Sequence, residues 1–416
     1  MTETNSLRNT ARQLFDAAVA AADPALALRP HMTELAPLEG GTTYVIAIGK
    51  AAPRMLAEAL RHLPQPVRAL AVTHHENPMD VEGAEVLRAG HPVPDAAGAR
   101  AAEAVIALLQ EAGPQDRVIA LISGGGSALV PAPVDGLTLE DKAEVNRLLL
   151  AGGLDITRMN LVRQHLSRLK GGGFLHHAAP APVTAFILSD VIGDDLRAIA
   201  SGPTVGPIGS VEDARALLRE HGLWDRLPEA ARRHLETATD GAPLPEATNV
   251  LIGSNGQSLE AMRKAAEDAG WAAEIVSDRL VGDVAEAAAE VLANLGPVDA
   301  PAALLFGGET TVTIRGSGRG GRNQEMALRV ALGAPETAQD WLFLSGGTDG
   351  RDGPTDAAGG VVDAGTAARI AAAGQDAQAL LENNDSYAAL AAAGDLLLTE
   401  ATGTNVADVQ VLLIRP

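Results

Sequence analysis

The sequence predicts an α/β protein, and three features predict it. Short apolar runs alternate with alanine-rich helical stretches along most of the chain, the pattern of parallel strands joined by crossover helices. Aromatic residues are only 2% of the chain although 46% is hydrophobic, so the core must be aliphatic, packed from Ala, Leu, Val and Ile. The apolar runs repeatedly end in glycine and a small polar residue, as strand-to-helix turns do. At 416 residues the chain exceeds one simple core, and about two to three domains is the expectation from length.

Taken in order, residues 6–29 read as one alanine-rich amphipathic helix followed by a Pro/Gly-containing connection. A strand over 44–48 precedes a helix over 51–62; strands at 69–73 and 85–89 lead to a helix over 97–112 and a strand over 117–122. Further strands are expected at 183–188, 250–252, 273–276, 303–306, 341–344 and 409–414. The Pro/Gly-punctuated stretch Asp240-Gly241-Ala242-Pro243-Leu244-Pro245 is the expected linker, dividing the chain into α/β domains at 1–240 and 241–416 with a cleft. Glycine-rich turns at Gly49-Lys50, Ser123–Ser127, Gly253-Ser254-Asn255, Gly307-Gly308-Glu309 and Ser345–Asp349 fall at the carboxyl ends of predicted strands, where open α/β sheets bind ligands.

Bulk properties exclude several functions. A formal net charge of -21 argues against nucleic-acid binding, which needs a basic face. There is no cysteine, hence no disulfide or thiolate metal site. No signal peptide or apolar run of about 18 residues is read, so a cytoplasmic protein without membrane contact is expected. Oligomeric state stays open between monomer and homodimer.

The segment Gly316-Ser317-Gly318-Arg319-Gly320-Gly321-Arg322-Asn323-Gln324-Glu325 is a glycine-rich loop with two arginines running into an apolar helix. Clustered N–H groups and a helix start suit an anion there. Ser123-Gly124-Gly125-Gly126-Ser127 follows a predicted strand and has the composition of a phosphate nest. Of four lysines, Lys50 starts a helix, where a cation is unfavourable without an anionic partner. Lys170 reads as the last turn of a helix before Gly171, where a cation is expected on structural grounds alone. Ser189-Asp190-Val191-Ile192-Gly193-Asp194-Asp195 offers hard oxygen ligands for Mg²⁺, with Asp190 best placed and Asp194 or Asp195 equally suited to cap a helix. His91 and Asn383-Asn384-Asp385-Ser386 read mainly as loop and capping residues. No G-x-x-x-x-G-K-[ST] occurs, and Gly316-x-Gly318-x-x-Gly321 lacks the acidic residue a dinucleotide fingerprint needs.

The ordered set of these motifs, together with Gly90–Asp95, Ser201-Gly202-Pro203-Thr204 and Thr402-Gly403-Thr404-Asn405, closely resembles the bacterial and archaeal glycerate 2-kinases over essentially the whole chain. The resemblance implies a Rossmann-like N-terminal domain, a smaller MOFRL-type C-terminal domain and an active site in the cleft. It further implies ATP- and Mg²⁺-dependent phosphorylation of D-glycerate at the C2 hydroxyl. By motif, Lys50 and Arg322 match the family's active-site lysine and arginine, and Asp190 joins them as catalytic. The nucleotide and phosphate side takes residues 123–127, Lys170, Glu309, Arg319 and Asn323, with Mg²⁺ on Asp190 and Asp195. Where the family usually reads Thr-Gly-Pro-Thr-Gly-Thr-Asn, this chain has Thr399-Glu400-Ala401-Thr402-Gly403-Thr404-Asn405. Two other functions remain open: an NAD(P)-dependent hydroxypyruvate reductase and a non-enzymatic two-domain binding protein for a small anion.

Overall fold

Two helices, α1 (Glu3–Ala21) and α2 (Pro24–Thr33), open the computed structural model, which describes residues 3–337 and 339–416. The single helix expected over 6–29 is interrupted at Asp23. Its carboxylate accepts from the N–H groups of Ala25 and Leu26, and Pro24 occupies the first helical position, so an Asp-Pro pair stops one helix and starts the next.

The chain divides into two compact units. One, the first-sheet unit, runs from Ala27 to Ser189 and from Asp194 to Ile252. It carries β1 (Thr43–Ile48), α3 (Ala52–His62), β2 (Val67–His74), β3 (Glu85–Ala89), α4 (Ala96–Gln110), β4 (Arg117–Ile122) and the one-turn α5 (Gly126–Leu129). Next come α6 (Leu139–Ala151), α7 (Ile156–His165), α8 (Gly173–Ala178), β5 (Val183–Leu188), α9 (Val211–Glu220), α10 (Glu229–Thr237) and β6 (Ala247–Gly253). The strand order is β3-β2-β1-β4-β5-β6, and β1 to β5 pair in parallel. β1 is buried along its whole length, as a strand covered on both faces must be. Helices α6, α7, α9 and α10 build a second apolar cluster around Val145, Leu149, Val162 and Leu218.

The order reverses between β1 and β4, whose last residues Ile48 and Ile122 are register partners. The turns after these two strands therefore emerge side by side at the switch point, the usual ligand crevice of an open parallel sheet.

The other, the second-sheet unit, takes the segment up to Leu26, Asp190–Gly193 and Gly253–Pro416. It contains α11 (Asn255–Asp268), β7 (Ala272–Asp283), α12 (Val284–Ala293), β8 (Ala302–Thr311), α13 (Arg322–Gly333), β9 (Asp340–Gly347) and β10 (Ala357–Asp363). The short helices α14 (Thr366–Ala372), α15 (Ala377–Glu382) and α16 (Ser386–Ala393) lead to β11 (Leu396–Leu398) and β12 (Asp408–Arg415). The sheet is mixed, in the order β11-β10-β9-β12-β8-β7, with only β7 and β8 parallel among its paired strands. Alternation sorts its side chains: Leu342, Leu344, Val409 and Val411 face α1 and α11, whereas Trp341, Phe343, Leu412 and Ile414 face α12 and α13.

The division expected near residue 240 differs from this arrangement in two ways. β6 completes the first sheet beside β5, so the 240–245 stretch is a loop within a unit. α1 packs on the second sheet through Leu7, Leu14 and Phe15, because its apolar stripe needs that face for burial. Gly307-Gly308-Glu309 also proves to lie inside β8, where Gly308 passes the Leu280 backbone too closely for any side chain.

Candidate active site

At the switch point the turn after β1 is stitched to the turn after β4. Ser123 N–H donates to Ile48 O (2.9 Å), Lys50 N–H to Gly124 O (2.9 Å), and Ala51 N–H to Ser123 Oγ (3.1 Å). Gly125 then turns the chain at φ +88 into α5, a conformation that favours glycine. The N–H groups of Gly124, Gly125, Gly126 and Ser127 meet no acceptor among the described residues. Four adjacent donors left unanswered are what a nest for an anion requires.

Lys50 runs across this turn, for a Cβ on Gly125 would stand 3.2 Å from Lys50 Cγ. Its ammonium has neither a hydrogen bond nor an ion pair to any described residue. The backbone beneath it is held firmly: Lys50 O accepts from Thr73 Oγ1 and Asn77 Nδ2. The same Gly125 Cβ would stand 3.1 Å from the His91 ring, so that imidazole also belongs to the cluster. Burial, with Lys50 and His74 close by, holds His91 below the usual histidine range and favours the neutral ring.

Lys170 lies behind the turn. It does not end a helix as expected, since α7 stops at His165; it sits in the following turn, and its Nζ donates to Ser127 O (2.9 Å). Burial pushes its pKa down to about 7, with Arg163 adding to the effect. Lys142 lies nearby, half-buried with its Nζ on Pro131 O, and desolvation holds its pKa well below the ordinary lysine range, with Lys170 adding to the effect. Among the described residues no carboxylate is paired with either ammonium, although buried charges are normally paired.

In the loop after β5, Asp195 does not present the free carboxylate expected of a Mg²⁺ ligand. Both its oxygens receive the Arg197 guanidinium (2.9 Å each), and that hydrogen bonding holds its pKa down. Asp194 is different: its Oδ1 is buried without a hydrogen-bond partner, at a residue with φ 54. An orphaned carboxylate oxygen fits a cation, and of this pair Asp194 is the better ligand. Among the described residues no group of three or more His, Asp or Glu side chains is placed to hold a metal by itself.

The glycine-arginine loop is wired otherwise than its composition suggests. Arg315 and Gly316 N–H groups donate to Asn384 Oδ1, Ser317 N–H to Asn383 Oδ1, Gly318 N–H to Asn383 O and Arg319 N–H to Asp385 Oδ1. These donors are consumed by the 383–385 turn, so the loop is clamped by the protein. The start of α13 is likewise filled, because Asp352 accepts from the N–H groups of Asn323 (3.1 Å) and Gln324 (2.8 Å). Burial pushes the Asp352 carboxyl up to about 6. Arg319 donates to Pro354 O and lies over the Tyr387 ring at 4.6 Å. Asn323, expected at phosphate, is buried with its amide oxygen on Ser345 Oγ (2.6 Å) and its amide nitrogen toward Asp352.

Arg322, the first residue of α13, is gripped by two carboxylates. Its Nε and Nη2 donate to Asp408 (2.6 and 3.0 Å), and Nη1 lies 3.1 Å from Glu309. Glu309, expected on the phosphate side, is therefore an arginine partner on β8. A cavity of about 470 Å³ opens beside Arg322, lined by Thr310, Gly321, Glu325 and Asp352 among others, a volume suited to a small ligand. The Thr310 hydroxyl there is buried and has no hydrogen-bond partner.

Thus Lys50, residues 123–127 and Lys170 are brought together in the first-sheet unit, and Glu309, Arg322 and Asn323 in the second-sheet unit. His91, Asp352 and Asp408 were not singled out for these roles from sequence. His91 gave a signal through its place in Gly90-His91-Pro92 after a predicted strand, and Asp352 through its place in the acidic stretch Asp349–Asp356 after another.

Comparison with known proteins adds to this geometry. Residues 10–236 match a family model described as a domain of unknown function (DUF4147), and residues 302–408 match the MOFRL family. A protein of Agrobacterium vitis named "Putative hydroxypyruvate reductase" is 41% identical, with 98% of this chain and 95% of that protein covered. The D-glycerate 2-kinase of Thermotoga maritima is 39% identical over all of both chains. A crystal structure of glycerate kinase from Thermotoga maritima superposes with a TM-score of 0.92 at 37% identity, covering 99% of this chain and 100% of that one.

Proposed function

The chain belongs to the glycerate 2-kinase family, and from that premise we propose that it transfers the γ-phosphoryl group of ATP to the C2 hydroxyl of D-glycerate, giving 2-phosphoglycerate and ADP. One observation carries the reading: four unanswered N–H groups at residues 124–127 lie beside the Lys50 side chain, whose ammonium has no partner among the described residues. The triphosphate takes that nest. An ammonium about 4 Å from a phosphate oxygen gains about 4 kcal/mol at an effective dielectric of about 20, before desolvation. Arg322 takes an anionic group of the substrate, as a planar fork does best.

The hydroxyl oxygen forms a bond to γ-phosphorus as the bond to the β-phosphate oxygen breaks, and Asp190 accepts the hydroxyl proton. Positioning and neutralisation supply most of such catalysis. Asp194, with its orphaned oxygen, would hold Mg²⁺ together with phosphate oxygens, and the cation would neutralise phosphate charge. Asn323 and Arg319 are assigned to supporting the Arg322 loop, on the strength of their internal bonds.

The reductase reading, which the name of the Agrobacterium vitis relative raises, needs a dinucleotide cradle. The turn after β1 reads Gly49-Lys50-Ala51-Ala52, without a second and third fingerprint glycine. The Gly316-x-Gly318-x-x-Gly321 spacing lies in a loop in which the N–H groups of Gly316, Ser317, Gly318 and Arg319 are taken by residues 383–385. Two assays on the purified chain decide. ADP formation from ATP with D-glycerate, and identification of the product as 2-phosphoglycerate, is expected. NADH oxidation with hydroxypyruvate in its place would overturn the proposal.

A further inference from the structure

Arg322 is held by two carboxylates of opposite character. Asp408 opens β12, a strand flanked by both β8 and β9, and its side chain is 1% exposed. It meets Arg322 edge-on through two hydrogen bonds, the geometry that fixes a guanidinium plane. The neighbouring Asn323 is itself held by Ser345, whose hydroxyl donates to its amide oxygen. Glu309 stands on β8 with its side chain 48% exposed and makes a single contact, at 3.1 Å to Nη1. The Arg322 side chain is 34% exposed, and two of its five N–H bonds have no partner among the described residues.

Resting on the reading that Arg322 receives the substrate's anionic group, we propose that Asp408 is the positioning residue for Arg322 and that Glu309 is an exchangeable anion which the substrate displaces. A carboxylate locked by two hydrogen bonds along one edge of the fork cannot leave without stranding a buried charge, whereas a half-exposed one with one contact can. The site then carries its own competitor. Glu309 keeps Arg322 oriented when no substrate is present, and it sets a threshold that only an anion able to reach Nη1 and Nη2 together overcomes.

The test is steady-state kinetics with D-glycerate on R322A, D408N, E309Q and the pairs R322K and R322K/D408N, alongside thermal unfolding of each. D408N should lower kcat by about 100-fold, the usual scale for a group misplaced by about 1 Å. E309Q should lower KM for D-glycerate by about fivefold, the worth of one exposed ion pair, with an unchanged unfolding midpoint. In the R322K background D408N should add little, because lysine has no fork to hold. If D408N fails to fold, E309Q decides, since its half-exposed side chain leaves the fold intact. A folded D408N with normal kinetics, or an E309Q with raised KM, overturns the inference while a dead R322A keeps the parent reading. A fully active R322A removes both.

Discussion

Lys170 reaches under the glycine turn to Ser127, its ammonium 2.9 Å from that residue's carbonyl oxygen. The contact joins a buried cation to a loop that carries four N–H groups without an acceptor among the described residues. With no described carboxylate paired to it, the positive charge of Lys170 is available to whatever anion occupies the nest. Lys170→Met should therefore raise the KM for ATP at least about tenfold at pH 6.5. Its stability should move the other way. Burial lowers the folded pKa to about 7 from an ordinary 10.5, so the unfolded chain binds more protons between those values and stability rises with pH across that window. Below about pH 7 the cost of burying the charge is fully present. Lys170→Met should unfold at a higher temperature than the parent at pH 6, with the gap closing toward pH 10; calorimetry at both pH values checks it.

Lys50→Ala should lower turnover by at least about 1,000-fold while circular dichroism and the unfolding midpoint stay unchanged, because no described residue relies on the ammonium. Near-normal ADP release from this variant would remove the nest as the phosphate site.

Gly125→Ala tests the turn itself. The residue sits at φ +88, and an added Cβ would approach the His91 ring to 3.1 Å and Lys50 Cγ to 3.2 Å. The backbone change alone costs about 1–2 kcal/mol, and the side-chain crowding shifts Lys50 from its path. Urea unfolding should report that loss, and kcat/KM for ATP should fall by more than about tenfold.

Arg8→Ala addresses α1. Arg8 Nη2 meets Asp363 (2.5 Å) and Asp395 (2.7 Å), which Arg369 also holds, from the other side of the sequence. Both carboxylates are buried, so loss of Arg8 should cost about 3 kcal/mol, the lower end for a broken buried pair because Arg369 remains. Hydrogen exchange in α1 should rise before that in α11. The arginines hold the Asp363 carboxyl below its ordinary pKa even though burial opposes them, so this stabilisation is present above pH 4 and is lost as pH falls through the depressed value.

Most strands were legible because their burial is continuous and their apolar runs are short and bounded by glycine, as at β4 and β5. β10 was not, since Ala357-Ala358-Gly359-Gly360-Val361-Val362-Asp363 has little β-propensity. Its glycines answer to packing: a Cβ on Gly359 would strike Ser345 O, and one on Gly360 would strike Leu390 and Ala327. The pairing of α1 with the second sheet left no local trace either, as Arg8 and Asp363 are 355 residues apart in sequence. In the site, Lys50 and residues 123–127 were legible because a helix-start cation and a triple glycine are locally unusual. The clamp of Asn383, Asn384 and Asp385 on the glycine-arginine loop was hidden, for these residues look like ordinary helix caps until their partners are known.

The placement of α1 has a consequence for how the chain is made. Leu7, Leu14 and Phe15 are synthesised well before the strands they cover, β9 and β12, which come more than 300 residues later. At a synthesis rate of about 10 residues per second, that apolar stripe waits about half a minute or longer, through production of the entire first-sheet unit. The helix is thus an apolar segment that stays exposed for much of synthesis. By the same logic a circular permutant that begins at Ala27 and carries α1 behind Pro416 should gather its second sheet without that wait.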